Sequence, residues 1–497
     1  MSDLVHATAA PRLFAEQPLL GAGVPVAALE AVRGVCRDSR AARPGDAFVA
    51  MGGDDATHAR DALGRGAALV VAERAIDGVA TLTTPHARWS HARASVAAHG
   101  LDRGHVALAG VTGSAGKSTT THCCWWALGG GLDAGGTGAA RIGTIGWHDG
   151  ARERAAKQTT PPPEELHAFL AGLDPRCPGV AVEISSHAGD QERLAGLELS
   201  ALAFTGLGHD HLDYHRTVAA YLDAKLRIVR LLKPGAWVVI NADDRRAAAV
   251  AYAAHAAGAW PVMLGLAAGD ALIVRQGDGW RLVWEGVDHP LPVRLPGAFN
   301  AWNAAAGALL AHALGTSLPT ALARLATLPP VPGRLELLAS APLTYVDYAH
   351  TPEAIATMLR TLRAAFPRRR LVCVFGCGGD RDRTKRAPMG SAALIADLAI
   401  LTTDNSRSES PSAIAADVVA GLGDVLVHRD LAALDVRSSG LAVELDRGPA
   451  IIAARRLAGP DGIVVVAGKG HETTQEIQGR VEPWDDRGFV AGLAVAR

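Results

Sequence analysis

In the run Val106-Ala-Leu-Ala-Gly-Val-Thr-Gly-Ser-Ala-Gly-Lys-Ser-Thr-Thr120, an apolar strand enters a glycine-rich turn and leaves it through Gly116-Lys117-Ser118 into a helix. Such a turn aims successive backbone N–H groups at phosphates. A lysine at this place adds charge beside the β and γ oxygens, and the next hydroxyl can ligate Mg²⁺. The strict pattern fails by one position, because Val111 stands where its first glycine belongs. A plain strand–helix turn is the competing reading in a chain with 55 glycines. The order strand, Gly-Lys-Ser, helix favours an ATP-type nucleotide.

Further candidates lie downstream. Val182-Glu-Ile-Ser-Ser-His187, with Gln191 and Arg193 close behind, puts a carboxylate at a strand end. Glu183 there is either an Mg²⁺ ligand or a helix-start charge. Phe204-Thr-Gly-Leu-Gly-His-Asp-His-Leu-Asp-Tyr-His215 packs three histidines and two aspartates into its last seven residues. It reads as a ligand-bearing or simply solvated loop. The helix after it carries Lys225 one turn beyond Tyr221, and periodicity alone does not select that lysine, since most mid-helix lysines are solvated. The last third holds Val346-Asp-Tyr-Ala-His-Thr-Pro352, Phe375-Gly-Cys-Gly-Gly-Asp-Arg-Asp382, Thr403-Asp-Asn-Ser-Arg407 and Ala467-Gly-Lys-Gly-His-Glu472. Each follows a β-type run. Together they suit a small ligand with both carboxylate and ammonium groups.

The elements that must hold these residues are α/β. Buried strands are expected at 47–50, 68–72, 106–111, 180–184, 201–205, 237–241, 371–375, 398–402 and 463–466, alternating with Ala/Leu-rich helices, hence mainly parallel sheets. In the middle of the chain the polar stretches 113–119, 183–187, 206–215 and 241–244 each follow a strand. Ligand crevices of open parallel sheets lie at the carboxyl ends of strands, so one shared site is expected. Breaks at 99–104 and at the Pro-Pro-Val-Pro-Gly of 329–333 divide the 497 residues into 1–100, 101–333 and 334–497.

Composition narrows the class. With 49% hydrophobic and 20% charged residues and a net charge of −1, the chain is globular and has no bulk attraction to nucleic acid or anionic lipid. Its six cysteines show no pairing or metal-ligand spacing and read as reduced thiols. MSDLVHATAAPRLFAEQ at the start lacks the features of a secretory signal, and the Ala/Gly-rich stretch 247–269 reads as a buried αβ unit, not a membrane span. A soluble, cytoplasmic protein is expected, with no nucleic-acid partner and no membrane insertion.

Taken together, these segments resemble the Mur ligases, and among them the branch that adds the third residue to the peptidoglycan precursor UDP-N-acetylmuramoyl-L-Ala-D-Glu. The resemblance is carried by Asp38-Ser39-Arg40 with Pro44-Gly-Asp46, the 113–119 loop, Thr159-Thr160-Pro161, Glu183-Ile-Ser-Ser-His187 and Asp210-His-Leu-Asp-Tyr-His215 with Lys225. It continues through Leu295-Pro-Gly-Ala-Phe-Asn300 with Asn303, Val331-Pro-Gly-Arg-Leu-Glu336, Asp347-Tyr-Ala-His350, Gly376-Cys-Gly-Gly-Asp-Arg-Asp382 and Gly468-Lys-Gly-His-Glu472.

The resemblance implies three domains: a UDP-substrate domain, a central P-loop-type parallel sheet for ATP, and a Rossmann-like carboxyl-terminal domain for the amino acid. It implies that Gly113, Ser114, Ala115, Gly116, Lys117, Ser118 and Thr119 hold ATP, with Asn303, Arg334 and Asp347 around the nucleotide. Ser39, Thr159, Thr160, Ser185, Gln191 and Arg193 would hold the UDP-muramoyl-dipeptide. Ser118, Glu183, His211 and a carbamylated Lys225 would ligate Mg²⁺, so that Lys117, Glu183, His211 and Lys225 form the catalytic set. Arg381, Asp404, Asn405, Ser406, Arg407, Gly468 and Glu472 match positions that bind the incoming diamino acid. The implied reaction phosphorylates the D-Glu side-chain carboxylate from ATP, and the amino acid's amine then displaces phosphate.

This sequence departs from the family pattern at Ser114, Ala115 and Ser118, where Thr, Asn and Thr are usual, at Gly206 for Asn, and at Ser406 for Pro. An arginine at 407 resembles the enzymes that take meso-diaminopimelate, while a surface pairing of Arg407 with Glu409 is the plainer reading. An L-lysine-adding enzyme, a Mur-like ligase with another acceptor (folylpolyglutamate-synthase-like, for instance) and a non-catalytic nucleotide binder are the alternatives.

Overall fold

The computed structural model describes residues 31–101, 106–131, 138–208 and 210–495. The amino-terminal stretch 1–17, part of the 99–104 break and His209 lie outside them. Three main sheets follow one another along the chain. The first is parallel: Gly34–Cys36, Asp46–Val49, Leu69–Ala72 and Thr81–Thr83. The second has eleven strands between Leu108 and Leu291, and the third has seven between Glu336 and Ala467.

The middle sheet is parallel at its centre and antiparallel at its edges. Its central order is Leu232–Asn241, Leu199–Phe204, Leu108–Thr112, Val180–Glu183 and Ala140–Gly143, all parallel neighbours. Strands buried on both faces read as continuous apolar runs. Here Leu108 faces one core while Ala109 and Val111 face the other, and Val180 and Val182 oppose Ala181 in the same way. The antiparallel edges, Ala271–Gln276 with Gly279–Trp284 and Val287–Leu291 on one side, and Gly146–His148 with Glu153–Arg154 on the other, were not in the sequence reading. They are part-exposed and mix charge with apolar residues, so no continuous run marks them.

All nine expected strands form, with ends shifted by up to five residues. The stretch 247–269 is the helix Ala247–Ala256 and the strand Trp260–Gly265, the latter paired with Leu232–Asn241. Among the described residues no helix is long and apolar enough to cross a membrane. All six cysteines are free.

The seven-stranded sheet repeats the two-faced pattern. Cys373 and Phe375 point into one core, Val372 and Val374 into the other. Beneath its strand ends lies a buried ion pair. Arg447 forks Asp486 at 2.8 and 2.7 Å and donates onward to the carbonyls of Thr403 and Ala467. It thereby ties together the roots of the loops 404–407 and 468–472.

Candidate active site

The phosphate-type loop sits at the carboxyl end of Leu108–Thr112 and opens the helix Lys117–Ala127. Gly113 and Gly116 have φ of +145° and +83°, and an added Cβ would lie 1.9 Å from Thr205 Oγ1 and 2.7 Å from Asn303 Oδ1 respectively. Both glycines are required by that crowding as much as by φ. Ser114 N donates to Gly206 O at 2.9 Å, Thr205 Oγ1 donates to Ala115 O, and Asn241 Nδ2 donates to Thr205 O at 3.0 Å. Asp244 receives Leu207 N at 2.8 Å. The polar stretches after four neighbouring strands therefore meet at one end of the sheet.

Lys117 Nζ donates to Gly113 O and Ser114 O at 3.1 and 2.9 Å. Ser118 Oγ donates to Glu183 Oε1 at 3.1 Å, and Glu183 Oε2 accepts Thr144 N at 2.9 Å. Adjacent oxygens around octahedral Mg²⁺, at about 2.1 Å from the metal, stand about 3 Å apart, so the observed hydroxyl–carboxylate pair suits that ion. His211 has an imidazole pushed down to about 4 by burial, which leaves it neutral, the form that ligates metals.

Lys225 departs from the usual mid-helix lysine. It is 1% exposed on the helix Val218–Val229, its Nζ donates to Gly113 O at 2.8 Å and lies 4.7 Å from the centre of the Tyr221 ring. Burial first, and the nearby Lys117 charge second, lower its pKa well below the ordinary lysine value. A neutral amine beside the loop is what carbamylation needs.

A second group surrounds the end of Val180–Glu183. Thr160 Oγ1 donates to Glu183 O at 2.8 Å and accepts Ser185 N at 3.0 Å, while Thr159 Oγ1 bonds Thr144 Oγ1 at 2.9 Å. Arg193 donates to Gln191 Oε1, Gln158 Oε1 and Thr160 O. Ser39 lies apart, buried on the turn Ser39–Ala41 of the first sheet. No hydrogen bond among the described residues joins it to this group. Arg37, on the same segment, reaches Glu164 Oε1 at 3.0 Å and links the first sheet to the helix Pro163–Ala171.

The third sheet faces this site. Arg334 Nη2 donates to Ser118 Oγ at 2.9 Å, and its guanidinium stacks 4.4 Å over Tyr348. Gly333 N on Glu336 and Leu335 N on Asp347 Oδ2, both 2.7 Å, fix the turn that presents it. Arg334 Nε and His471 Nδ1 are buried without a hydrogen-bond partner among the described residues. A buried unsatisfied N–H such as Arg334 Nε asks for a ligand or water, and an anion would serve it. Asn303 turns its side chain to Thr120 and Asn300, bracing the loop from below. A mainly apolar cavity adjoins it, lined by Thr119, Cys123, Asn300, Leu325, Leu335 and Tyr345.

In the same sheet Asn405 Nδ2 donates to Glu472 Oε2 at 2.9 Å, and Lys469 Nζ reaches Glu472 Oε2 at 3.0 Å and Asn405 Oδ1 at 3.1 Å. Gly468 N donates to Asp347 O, and Asp404 Oδ1 accepts Asn405 N. Ser406 is fully buried and accepts Gln478 N. Arg407, at φ +51°, donates Nη1 to Gly379 O at 2.6 Å. It does not pair with Glu409, whose carboxylate is taken by Arg386 at 2.6 Å. Arg381 is exposed, its nearest acidic partner being Asp213 at 3.9 Å.

Two family descriptions match the chain, "Mur ligase middle domain" over residues 111–311 and "Mur ligase, glutamate ligase domain" over 333–470. A protein of Rhizobium meliloti (strain 1021) named UDP-N-acetylmuramoyl-L-alanyl-D-glutamate--2,6-diaminopimelate ligase is 38% identical, over 92% of this chain and 93% of its own length. The chain belongs to the Mur ligase family. A protein of the same name from Syntrophomonas wolfei is 34% identical over 93% of this chain and 94% of its own. A solved structure with that enzyme name superposes at a TM-score of 0.66 with 30% identity, covering 94% of this chain and 95% of the other.

In this Mur ligase several residues at the site escaped the sequence reading. Thr205 and Asp244 tie the loops together, Tyr221 bonds Ser114 Oγ at 2.9 Å, and Lys469 is fully buried between Asn405 and Glu472. Tyr221 had a usable signal, its spacing of four before Lys225, which places both on one helix face. Lys469 sat inside a recognised motif. Thr205 lay in the quoted run 204–215 and Asp244 in the polar stretch 241–244, a signal of place and not of role.

Proposed function

We propose that this Mur ligase is the ATP-dependent, ADP-forming enzyme that adds meso-diaminopimelate to UDP-N-acetylmuramoyl-L-Ala-D-Glu in peptidoglycan precursor synthesis, acting in the cytoplasm. The carrying observation is the meeting of the phosphate loop and the Ser118–Glu183 pair at the strand ends of the central sheet, with Arg334 of the third sheet bonded to Ser118 and the loops 404–407 and 468–472 joined to each other at that sheet's own strand ends. The names of relatives at up to 38% identity over nearly the whole chain support the substrates. We assign the UDP-substrate, ATP and amino-acid roles to residues 1–100, 101–333 and 334–497.

The backbone N–H groups opening Lys117–Ala127 hold the ATP phosphates, and Lys117 swings from its own loop carbonyls to the β/γ oxygens. Ser118, Glu183, His211 and a carbamylated Lys225 would hold Mg²⁺, which would supply charge neutralisation at the phosphates. Thr159, Thr160, Ser185, Gln191 and Arg193 orient the dipeptide so that its D-Glu side-chain oxygen meets the γ-phosphorus in line. ADP departs and an acyl phosphate forms. The amine, placed by Asp404, Asn405 and Glu472, then attacks the carbonyl carbon, loses a proton, and phosphate leaves. Positioning and charge neutralisation supply most of the rate.

Selectivity for the third residue is assigned to Arg407. With Nη1 on Gly379 O, its Nε and Nη2 make no hydrogen bond among the described residues and can grip the far carboxylate that lysine lacks. Loss of a paired carboxylate contact costs roughly 2–5 kcal/mol, so Arg407→Ala is expected to lower the diaminopimelate-to-lysine preference by about 30-fold or more. Competing the two amino acids at equal concentration measures it. A wild type that prefers lysine, or an unchanged ratio in Arg407→Ala, overturns the assignment.

A further inference from the structure

Lys385 belongs to the third sheet's turn Arg383–Lys385, yet its Nζ lies 2.8 Å from Asp210 Oδ1 on the loop after Leu199–Phe204. Both side chains are largely buried, at 17% and 13% exposure, which separates this bridge from exposed pairs such as Arg381–Asp213. Asp210 also holds its neighbour. Oδ1 accepts the backbone N–H of His211 at 2.9 Å, and Oδ2 lies 3.4 Å from His211 Nε2. His211 has φ +53°, an unfavourable conformation for a residue with a Cβ that persists only where its surroundings over-determine it. The Asp210 carboxylate does so, and Lys385 fixes that carboxylate.

The turn carrying Lys385 is itself anchored. Asp382 Oδ1 caps Thr384 N at 2.9 Å, and the adjacent Arg386, 2% exposed, forks Glu409 and Asp417 at 2.6 Å each. Glu409 Oε1 also accepts Asp380 N at 2.7 Å, so the turn is continuous with the loops bearing Arg381 and Arg407. Lys385 is thus a rigid link from the amino-acid loops of one sheet to the His211 loop of the other.

We propose that Lys385 is a positioning residue: by gripping Asp210 it sets the backbone and ring of His211, and does so only when the seven-stranded sheet is seated on the central one. This rests on the ligase reading for its catalytic consequence, but not for its structural one. The test uses the full chain with Lys385→Met, Lys385→Arg and Asp210→Asn. Without any substrate, Lys385→Met is expected to raise amide hydrogen exchange in 206–215 by about tenfold, while Lys385→Arg keeps protection near wild type. Under turnover, Lys385→Met is expected to lower kcat roughly 10- to 100-fold with KM for ATP little changed, and the double variant with Asp210→Asn to be no worse than either single. Wild-type exchange in Lys385→Met, or additive losses in the double variant, would overturn the proposal. A wild type without ligase activity would defeat the ligase reading and leave the exchange result to judge the link.

Discussion

Lys117→Ala is expected to be folded and catalytically dead, with kcat lower by on the order of 10³-fold or more. The substitution removes the ammonium beside the β/γ phosphates and leaves the backbone cradle intact. The lysine side chain bonds the loop only through the carbonyls of Gly113 and Ser114, while Gly113, Gly116 and the bonds of Ser114 and Ala115 to 205–206 still set the cradle without it. Nucleotide binding should therefore survive better than turnover. Phosphate release at saturating ATP, with ADP binding followed by calorimetry, separates the two. Wild-type-like release would show that the loop is structural.

Lys225→Ala is expected to lose activity by on the order of 10²-fold or more, with partial rescue by a short-chain carboxylate. An ammonium in this position would repel a divalent ion, whereas the carbamate formed from the amine and CO₂, with release of one proton, supplies hard oxygens. The side chain is buried and lies near the Lys117 charge, and both favour the neutral amine over the charged one. Growth in ¹³C-bicarbonate and a carbamate carbon resonance on the purified protein give a readout independent of turnover. A fully active alanine variant, indifferent to added carboxylate, would contradict the assignment.

Parallel strands at the centre of a sheet were legible because both faces are buried and the residues have no reason to alternate; Leu371–Phe375 and Ile463–Ala467 are apolar throughout. The edge strand Val287–Leu291 was not legible, since Asp288, His289 and Pro290 break any such run. The convergence of 113–119, 183–187, 206–215 and 241–244 followed from each lying after a strand. The environment of Lys225 did not. Its burial depends on a carbonyl 112 residues away, which helical periodicity cannot see. Glu409 stands two residues from Arg407 and suggested a local pair, but Arg386 claims it from 23 residues off, leaving the Arg407 guanidinium on Gly379. Lys385 and Asp210 likewise meet only because two sheets face each other.

The most direct test is phosphate release and product mass with the purified full chain, ATP, Mg²⁺, UDP-N-acetylmuramoyl-L-Ala-D-Glu and a panel of amino acids offered singly. The expected result is ADP and phosphate in step with a product heavier by one diaminopimelate residue, with lysine and the other amino acids far behind. Release with no amino acid on the panel, or equal release without the UDP-linked dipeptide, would contradict the assignment.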